Sequence, residues 1–436
     1  MKRLETDILV IGSGIAGICA SLSAKQKGKE VLVLARDGGA SAISSGALDL
    51  ADDPLAIPGK PEQWELNIER NLEEILARKP SHPYQLISGD AQGLIKDFEE
   101  SLKLVFKENG FLRGDSRKNK LVFNQLGTFK PTAYFQTYLL SLDDLKGKSL
   151  VLAVGFKNLA GFDLDFFCKN FLYWTERLGV KIKLEILEID LERSKTFNSL
   201  ELSRWLEENS EPVKEKIAGA LSSKPADLVI FPSVFPLEKR AEILEEIKRE
   251  TGAEVRELLA LPPSVPGRRL GRFLEKRLKE EGIEKIKARA ISYKAENKKL
   301  LSILARAGKQ ELEICFDKLV LATGGFLSGG IYKQGDFSEG ILGLQVFSGS
   351  RVLEKKIFTE KLTGLHIVEP HPVFGVGLGA NSRLQAIDEQ GRVVFENLYL
   401  AGSILTGANY IFDGTGGGVA LITGLKIGKL LQKHPI

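Results

Sequence analysis

Gly12, Gly14 and Gly17 stand in G-x-G-x-x-G spacing inside the segment DILVIGSGIAGICASLSAKQKGKEVLVL. At that spacing each glycine has its own task. Gly12 permits a tight turn, Gly14 lets backbone approach a pyrophosphate, and Gly17 lets a helix pack close on a sheet. A helix opening at this point, with Ser13 in the turn, offers N–H groups and the positive end of its dipole to phosphate oxygens. The chemistry implied is the holding of a nucleotide cofactor, and cofactors of that kind usually carry redox reactions.

Positioning those glycines takes a βαβ unit, and the flanking residues supply one. Four apolar residues in a row, Ile8 to Ile11, read as a buried parallel strand; an apolar-periodic helix runs to Gly28; a second strand covers Val31 to Leu34. The acidic residue expected after that strand, which would bond ribose hydroxyls, is replaced by Ala35, followed by Arg36 and Asp37. This leaves open FAD held in another way, FMN, or NADP with Arg36 near a 2′-phosphate.

Three further small-residue segments have the composition of cofactor contacts. The loop Gly38 to Gly46 carries Ser44, Ser45 and Gly46, whose hydroxyl and N–H groups suit a phosphate or flavin edge. The strand Lys318 to Ala322 runs into Thr323, Gly324 and Gly325. The strand Leu398 to Ala401 turns at Gly402 and Ser403, and Gly416, Gly417 and Gly418 then open a last helix, a second place for an anion or a carbonyl oxygen. Thr128, Lys130 and Thr132 could meet an anion. Arg268, Arg269 and Arg272 crowd a helix N-terminal end, unfavourable for cations unless an anion binds there. His82, in a Pro-flanked turn, reads as structural.

The 436 residues suffice for two or three domains, and 43% hydrophobic with 27% charged residues describes a soluble globular chain. A net charge of +4, from lysines and arginines interleaved with glutamates, does not suggest a nucleic-acid partner. Cys19, Cys168 and Cys315 lie far apart with no C-x-x-C, which argues against a metal or iron–sulfur site and a disulfide framework. No signal peptide is evident, and Lys426 and Lys429 interrupt the apolar C-terminal stretch, so the expectation is a cytoplasmic protein with no direct membrane span.

Between the two ends, strands and helices alternate from Lys148 to Thr251, which predicts a second parallel α/β layer. Short alternating strands from Lys285 to Phe316 predict an antiparallel meander. The expected architecture is an α/β, Rossmann-type FAD/NAD(P)-binding flavoprotein fold with an inserted α/β domain. Residues 1–50 and 285–436 form the discontinuous flavin domain, and 51–284 the inserted substrate or cap domain.

The order GSGIAG, meander, LATGG strand and NLYLAGS…GTGGG helix resembles two-dinucleotide-binding-domain flavoproteins of the fumarate reductase and glycerol-phosphate dehydrogenase type. SSGALDL, HPYQL, LPPSVPGRRL, GGFLSGG, ILGLQVF and GTGGGVA make the chain similar, over nearly its whole length, to the family of anaerobic glycerol-3-phosphate dehydrogenase B subunits. That resemblance implies a flavin subunit, with FMN favoured and FAD the alternative. It would work beside a catalytic FAD subunit and an iron–sulfur, membrane-anchoring subunit at the inner face of the membrane. The implied reaction oxidises sn-glycerol 3-phosphate to dihydroxyacetone phosphate and passes electrons to quinone. Ser403 stands where the broader group carries Asp. Within that reaction His371, in EPHPVFG, is the candidate base because its pKa range suits the task. Arg383 is the candidate anion clamp because its planar fork suits phosphate or carboxylate. The shortage of histidines (His82, His366, His371, His434) leaves a second expectation: a subunit that transfers electrons while a partner oxidises the substrate.

Overall fold

The computed structural model describes all residues except 58, 108–109, 193–194, 237, 354–358, 367–368 and 432–436; His434 lies outside the described residues. A central strand, β1 (Lys2–Ile11), is followed by α1 (Ile15–Lys25) and β2 (Val31–Ala35). Ile8 to Ile11 and Val31 to Leu34 are buried and pair in parallel register, Ile8 opposite Val31 and Ile11 opposite Leu34. Strands buried on both faces read as continuous apolar runs, which is why this unit is plain in the sequence.

The rest of the sheet comes from the far end of the chain: β3 (Glu284–Lys287), β4 (Arg289–Glu296), β5 (Lys299–Ala307), β6 (Gln310–Leu321) and β7 (Leu398–Leu400). β3 lies parallel on the outer edge of β2, and β6 lies parallel to β1 along its whole length, Lys2 opposite Leu312 to Ile11 opposite Leu321. The other edge of β6 is shared. Its first half pairs antiparallel with β5, which pairs with β4; its second half pairs parallel with β7. The meander and the LATGG strand, expected as separate elements, are therefore joined by one twelve-residue strand. The terminal helix α2 (Gly416–Leu430) packs along α1. The two approach closely because Gly424 and Gly428 face α1: a Cβ on Gly424 would lie 2.6 Å from the Ala16 carbonyl oxygen, and one on Gly428 2.2 Å from Ser23.

The inserted part has its own four-stranded parallel sheet, in the spatial order Glu254–Glu257, Leu228–Phe231, Leu150–Phe156 and Lys183–Ile189. Alternate residues of the Leu150–Phe156 strand serve two cores. Leu152 and Val154 pack with Leu206, Ile217 and Ile243 on one face. Val151 and Ala153 pack with Phe167 and Phe171 on the other. That is the period of two expected of a strand covered on both sides. Helices Ile68–Arg78, Ala91–Phe106 and Val265–Glu280 contribute Leu72, Phe98 and Leu270 to the same core as β1, so much of residues 51–111 packs with the flavin sheet. Helix Ile68–Arg78 is capped by Asn67, whose side chain accepts from the Arg70 N–H at 3.1 Å. Within the inserted part a helix also spans Ser210–Leu221.

Candidate functional site: a dinucleotide crevice

The three glycines lie at the turn from β1 into the first turn of α1. Gly12 has φ +117°, and a Cβ there would lie 2.2 Å from the Ala322 carbonyl oxygen at the end of β6. A Cβ on Gly17 would lie 2.0 Å from the Gly12 carbonyl oxygen. Gly14 is different: its Cβ would meet only Ser41 Oγ, at 3.2 Å, so the absent side chain leaves space on the side away from the core. No side chain caps α1 from its N-cap Gly14 and no acidic residue stands in its first turn, although the Ile15 N–H donates to Ser41 Oγ at 3.1 Å. Ser13 Oγ donates to the Asp37 carbonyl at 2.8 Å and ties this turn to the one after β2.

In front of these residues lies a crevice of about 530 Å³. One end is lined by Ala35, Arg36 and Asp37 at the end of β2 and by Ala288, Arg289 and Ala290 where β3 passes into β4. The opposite wall is Thr323 and Gly324 after β6, with Ser403 after β7. Gly324 has φ +77°, and a Cβ on Gly330 would lie 1.9 Å from the Gly324 carbonyl oxygen, so the GGFLSGG loop folds tightly on itself. The Gly325 N–H donates to Ser403 Oγ at 3.2 Å. Thr323 Oγ1 is buried at the crevice wall with no hydrogen-bond partner among the described residues. A helix N-terminus without a side-chain cap from its N-cap residue, a backbone cleared of side chains and an orphaned hydroxyl together fit a phosphate-bearing nucleotide.

Several lining residues carry no signal in the sequence. Tyr332, Gln334 and Glu339 come from a hairpin at 331–339. Glu339 is buried and accepts from the Ile341 and Leu342 N–H groups at 2.9 and 2.7 Å, yet burial still raises its pKa. Arg289 and Ser41 also escape a reading by motif. The ribose-binding acid is absent as read: Arg36 pairs with Asp37 at 3.3 Å, and Asp37 accepts from the Gly39 N–H at 3.0 Å.

Gly12, Ser13, Gly14, Thr323, Gly324 and Ser403 thus meet in one crevice, while the other expected contacts lie elsewhere. Gly402 does not line it; its N–H donates to Thr423 Oγ1 at 2.8 Å. Ser44, Ser45 and Gly46 do not line the crevice either. Gly46 packs on Gln136 and Pro266, and the Ser44 carbonyl accepts from Ser264. The run Gly416, Gly417 and Gly418, read as an anion site, is used for packing. A Cβ on Gly417 would lie 2.9 Å from Asp49 backbone, one on Gly418 would lie 2.0 Å from Tyr84 Oη, and the Gly418 N–H donates to the Asp49 carbonyl at 2.8 Å.

Neither His371 nor Arg383 lines the crevice. His371 Nδ1 accepts from the Gly364 N–H at 3.0 Å, and Arg383 is exposed. Of the other residues singled out, Thr132 donates to Leu48 and Lys130 pairs with Asp49. His82 is wholly buried, accepts from the Tyr84 N–H at 3.2 Å and lies 3.4 Å from Thr415 Oγ1. Burial, helped by the Lys79 charge, pushes its pKa down to about 3, so the ring is neutral. Around it Lys79 pairs with buried Asp413, and Asp52 is held well above the usual carboxylate range by burial and by Asp49. Among the described residues no cluster of three or more His, Cys, Asp or Glu could hold a metal ion, and no helix is long and apolar enough to cross a membrane.

Residues 7–173, which include the phosphate turn, match the family described as FAD binding domain. The chain is a flavin-binding protein. It is 26% identical over 435 residues to the B subunit of the anaerobic glycerol-3-phosphate dehydrogenase of Actinobacillus pleuropneumoniae, covering 97% of this chain and 98% of that one. It is 26% identical over 434 residues to the B subunit of the same dehydrogenase in Pasteurella multocida, with the same coverage. Among solved structures, the quinol fumarate reductase of E. coli aligns over 99% of this chain and 71% of its own at 9% identity and a TM-score of 0.43. The likeness to these B subunits runs along nearly the whole chain, as the motifs suggested, and the fold is a mixed α/β flavoprotein fold. The matched family is described for FAD, whereas the motif resemblance favours FMN.

Proposed function

We propose that this chain is the flavin subunit of an anaerobic sn-glycerol-3-phosphate dehydrogenase. It would oxidise glycerol 3-phosphate to dihydroxyacetone phosphate, with electrons reaching quinone through partner subunits. The observation that carries the reading is the end-to-end likeness to subunits of such dehydrogenases, combined with a crevice suited to a dinucleotide. A bound flavin supplies two-electron acceptance at the hydride level. The chain's own part begins with binding: the turn Gly12 to Gly14 and the Thr323 hydroxyl would hold the phosphates. FAD is the flavin proposed, because the crevice continues past the phosphate turn to Ala35–Asp37 and Ala288–Ala290, space that FMN would leave unfilled.

On this reading His371 would hold the proton of the substrate hydroxyl, and Arg383 would clamp an anion. Their position outside the crevice wall favours a second reading, in which the chain carries electrons and a partner oxidises the substrate. In either case the complex would include a catalytic FAD subunit and an iron–sulfur, membrane-anchoring subunit. The chain would then sit on the cytoplasmic face without spanning the membrane. Anaerobic mixing of the flavin-loaded chain with glycerol 3-phosphate separates the two readings. Bleaching of the flavin absorbance by the chain alone is the expected result; bleaching only after the catalytic partner is added would establish the electron-carrier reading.

A further inference from the structure

The four-stranded sheet of the inserted part ends in an open edge. Its strand Lys183–Ile189 pairs in parallel with Leu150–Phe156 on one side, and among the described residues no strand pairs with the other side. Two hydrogen bonds fix which way its backbone groups point. The Lys183 N–H donates to the Ser149 carbonyl at 2.8 Å, and the Ile189 carbonyl accepts from the Lys157 N–H at 3.0 Å. Backbone groups alternate in direction along a strand. Lys183, Glu185, Leu187 and Ile189 therefore spend theirs on the neighbouring strand, and those of Leu184, Ile186 and Glu188 point outward. The strand has seven residues and no proline, so its outer side is a template for another strand.

The side chains on this edge sort by face. Leu184 and Ile186 lie opposite Val151 and Ala153, on the face covered by helix Leu164–Arg177. Ile182, one residue before the strand, packs in the same core as Leu184. Ile186 nevertheless stays 47% exposed, a branched apolar side chain left to water beside unpaired backbone. On the other face Lys183 and Glu185 pair with each other at 2.9 Å, and the lysine side chain is 72% exposed. The edge thus offers an apolar row on one face and one charge of each sign on the other.

We infer that the strand Lys183–Ile189 pairs with the same strand of a second copy of this chain, antiparallel across a twofold axis perpendicular to the sheet, so that the two inserted sheets become one. Such an axis sets outward-pointing residues opposite one another, and its position along the strand fixes the register. Centred on Leu184, it sets Lys183 of each protomer opposite Glu185 of its partner, Ile182 opposite Ile186, and Leu184 opposite itself. Opposite charges and apolar pairs directly across two strands both stabilise the pairing. Centred on Lys183 or on Glu185, it would set like charges face to face. Centred on Ile186, it would set Leu184 opposite Glu188 and leave Lys183 facing Ile189. One register is therefore favoured, and the strand carries both halves of the match, which is why the occupant is a second copy and not a different protein. The pairing does not depend on the flavin reaction proposed above.

A contact of this size belongs to the small, dissociable class of interface, so the test is sedimentation velocity of the full chain from about 1 to 100 μM. Wild type should show a reversible dimer. Lys183→Glu and Glu185→Lys should each weaken it about tenfold or more, because like charges then face each other twice. The double variant, Lys183→Glu with Glu185→Lys, should restore it. Ile186→Lys changes an exposed side chain and should also weaken the dimer; it is the decisive variant if the double variant does not fold. A wild-type chain that is monomeric at every concentration would overturn the proposal, and so would a dimer that none of the single variants weakens. A monomeric chain whose binding to another subunit is abolished by Ile186→Lys would overturn it too, by assigning the edge to that subunit.

Discussion

At the scale of single residues, Gly12 and Gly14 separate stability from binding. Gly12 is fixed by its positive φ and by the Ala322 carbonyl, whereas a Cβ on Gly14 would meet only the Ser41 hydroxyl, a side chain that can shift. Gly14→Ala should therefore fold, with Tm within about 3 °C of wild type, while flavin affinity drops about tenfold as the new methyl holds the phosphate off the backbone. Fluorescence titration with FAD and a melting curve check the pair. His82 makes a different prediction. Its ring stays neutral in the fold, while the unfolded chain takes up a proton below about pH 6.5, so acidification removes stability. The loss reaches about 3 kcal/mol by pH 4, at about 1.4 kcal/mol per pH unit. Asp52 acts with the opposite sign, because its raised pKa costs stability as pH rises through the ordinary carboxylate range. The measurement is therefore the stability difference between wild type and His82→Asn in urea at pH 7 and pH 4. That difference should shrink, or reverse, at the lower pH; a constant difference would contradict the assignment. The phosphate turn is legible in the sequence because glycine spacing is local. Glu339, Tyr332 and Arg289 are not, because only the tertiary fold brings them to the crevice, from more than 270 residues away in sequence.

At the scale of elements, the packing of α1 on α2 is the joint that closes the chain's two ends around β1. Cys19 donates to the Leu421 carbonyl at 3.2 Å across it, and Gly428 sits against Ser23 with no room for a methyl. Gly428→Ala should cost about 1–3 kcal/mol, read as a lower urea midpoint at unchanged m. The glycines that open α2 have a packing use as well. Glycines at a helix N-terminus suggest a ligand, yet Gly417 and Gly418 are there because Asp49 backbone and the Tyr84 hydroxyl press on them. Sequence cannot tell glycine that admits a ligand from glycine that admits another strand of the same chain. Strands are easier to read. The alternation in the inserted part does become a parallel sheet, whose two inner strands, Leu150–Phe156 and Leu228–Phe231, are apolar runs. The break expected within β6 does not occur, because Phe316 and Lys318 continue the pairing with β1.

At the scale of the whole molecule, the proposed flavin chemistry would depend on a crevice assembled from both ends of the sequence, with the Ser41–Gly46 loop between it and the inserted part. Holding a dinucleotide there is the claim on which the proposed reaction stands. The most direct measurement is the visible spectrum of the purified full chain, with the cofactor released by denaturation and identified by chromatography. The expected result is a flavin spectrum and FAD in about one-to-one ratio with protein. A chain that is colourless as isolated, and stays so after incubation with FAD or FMN, would contradict the account.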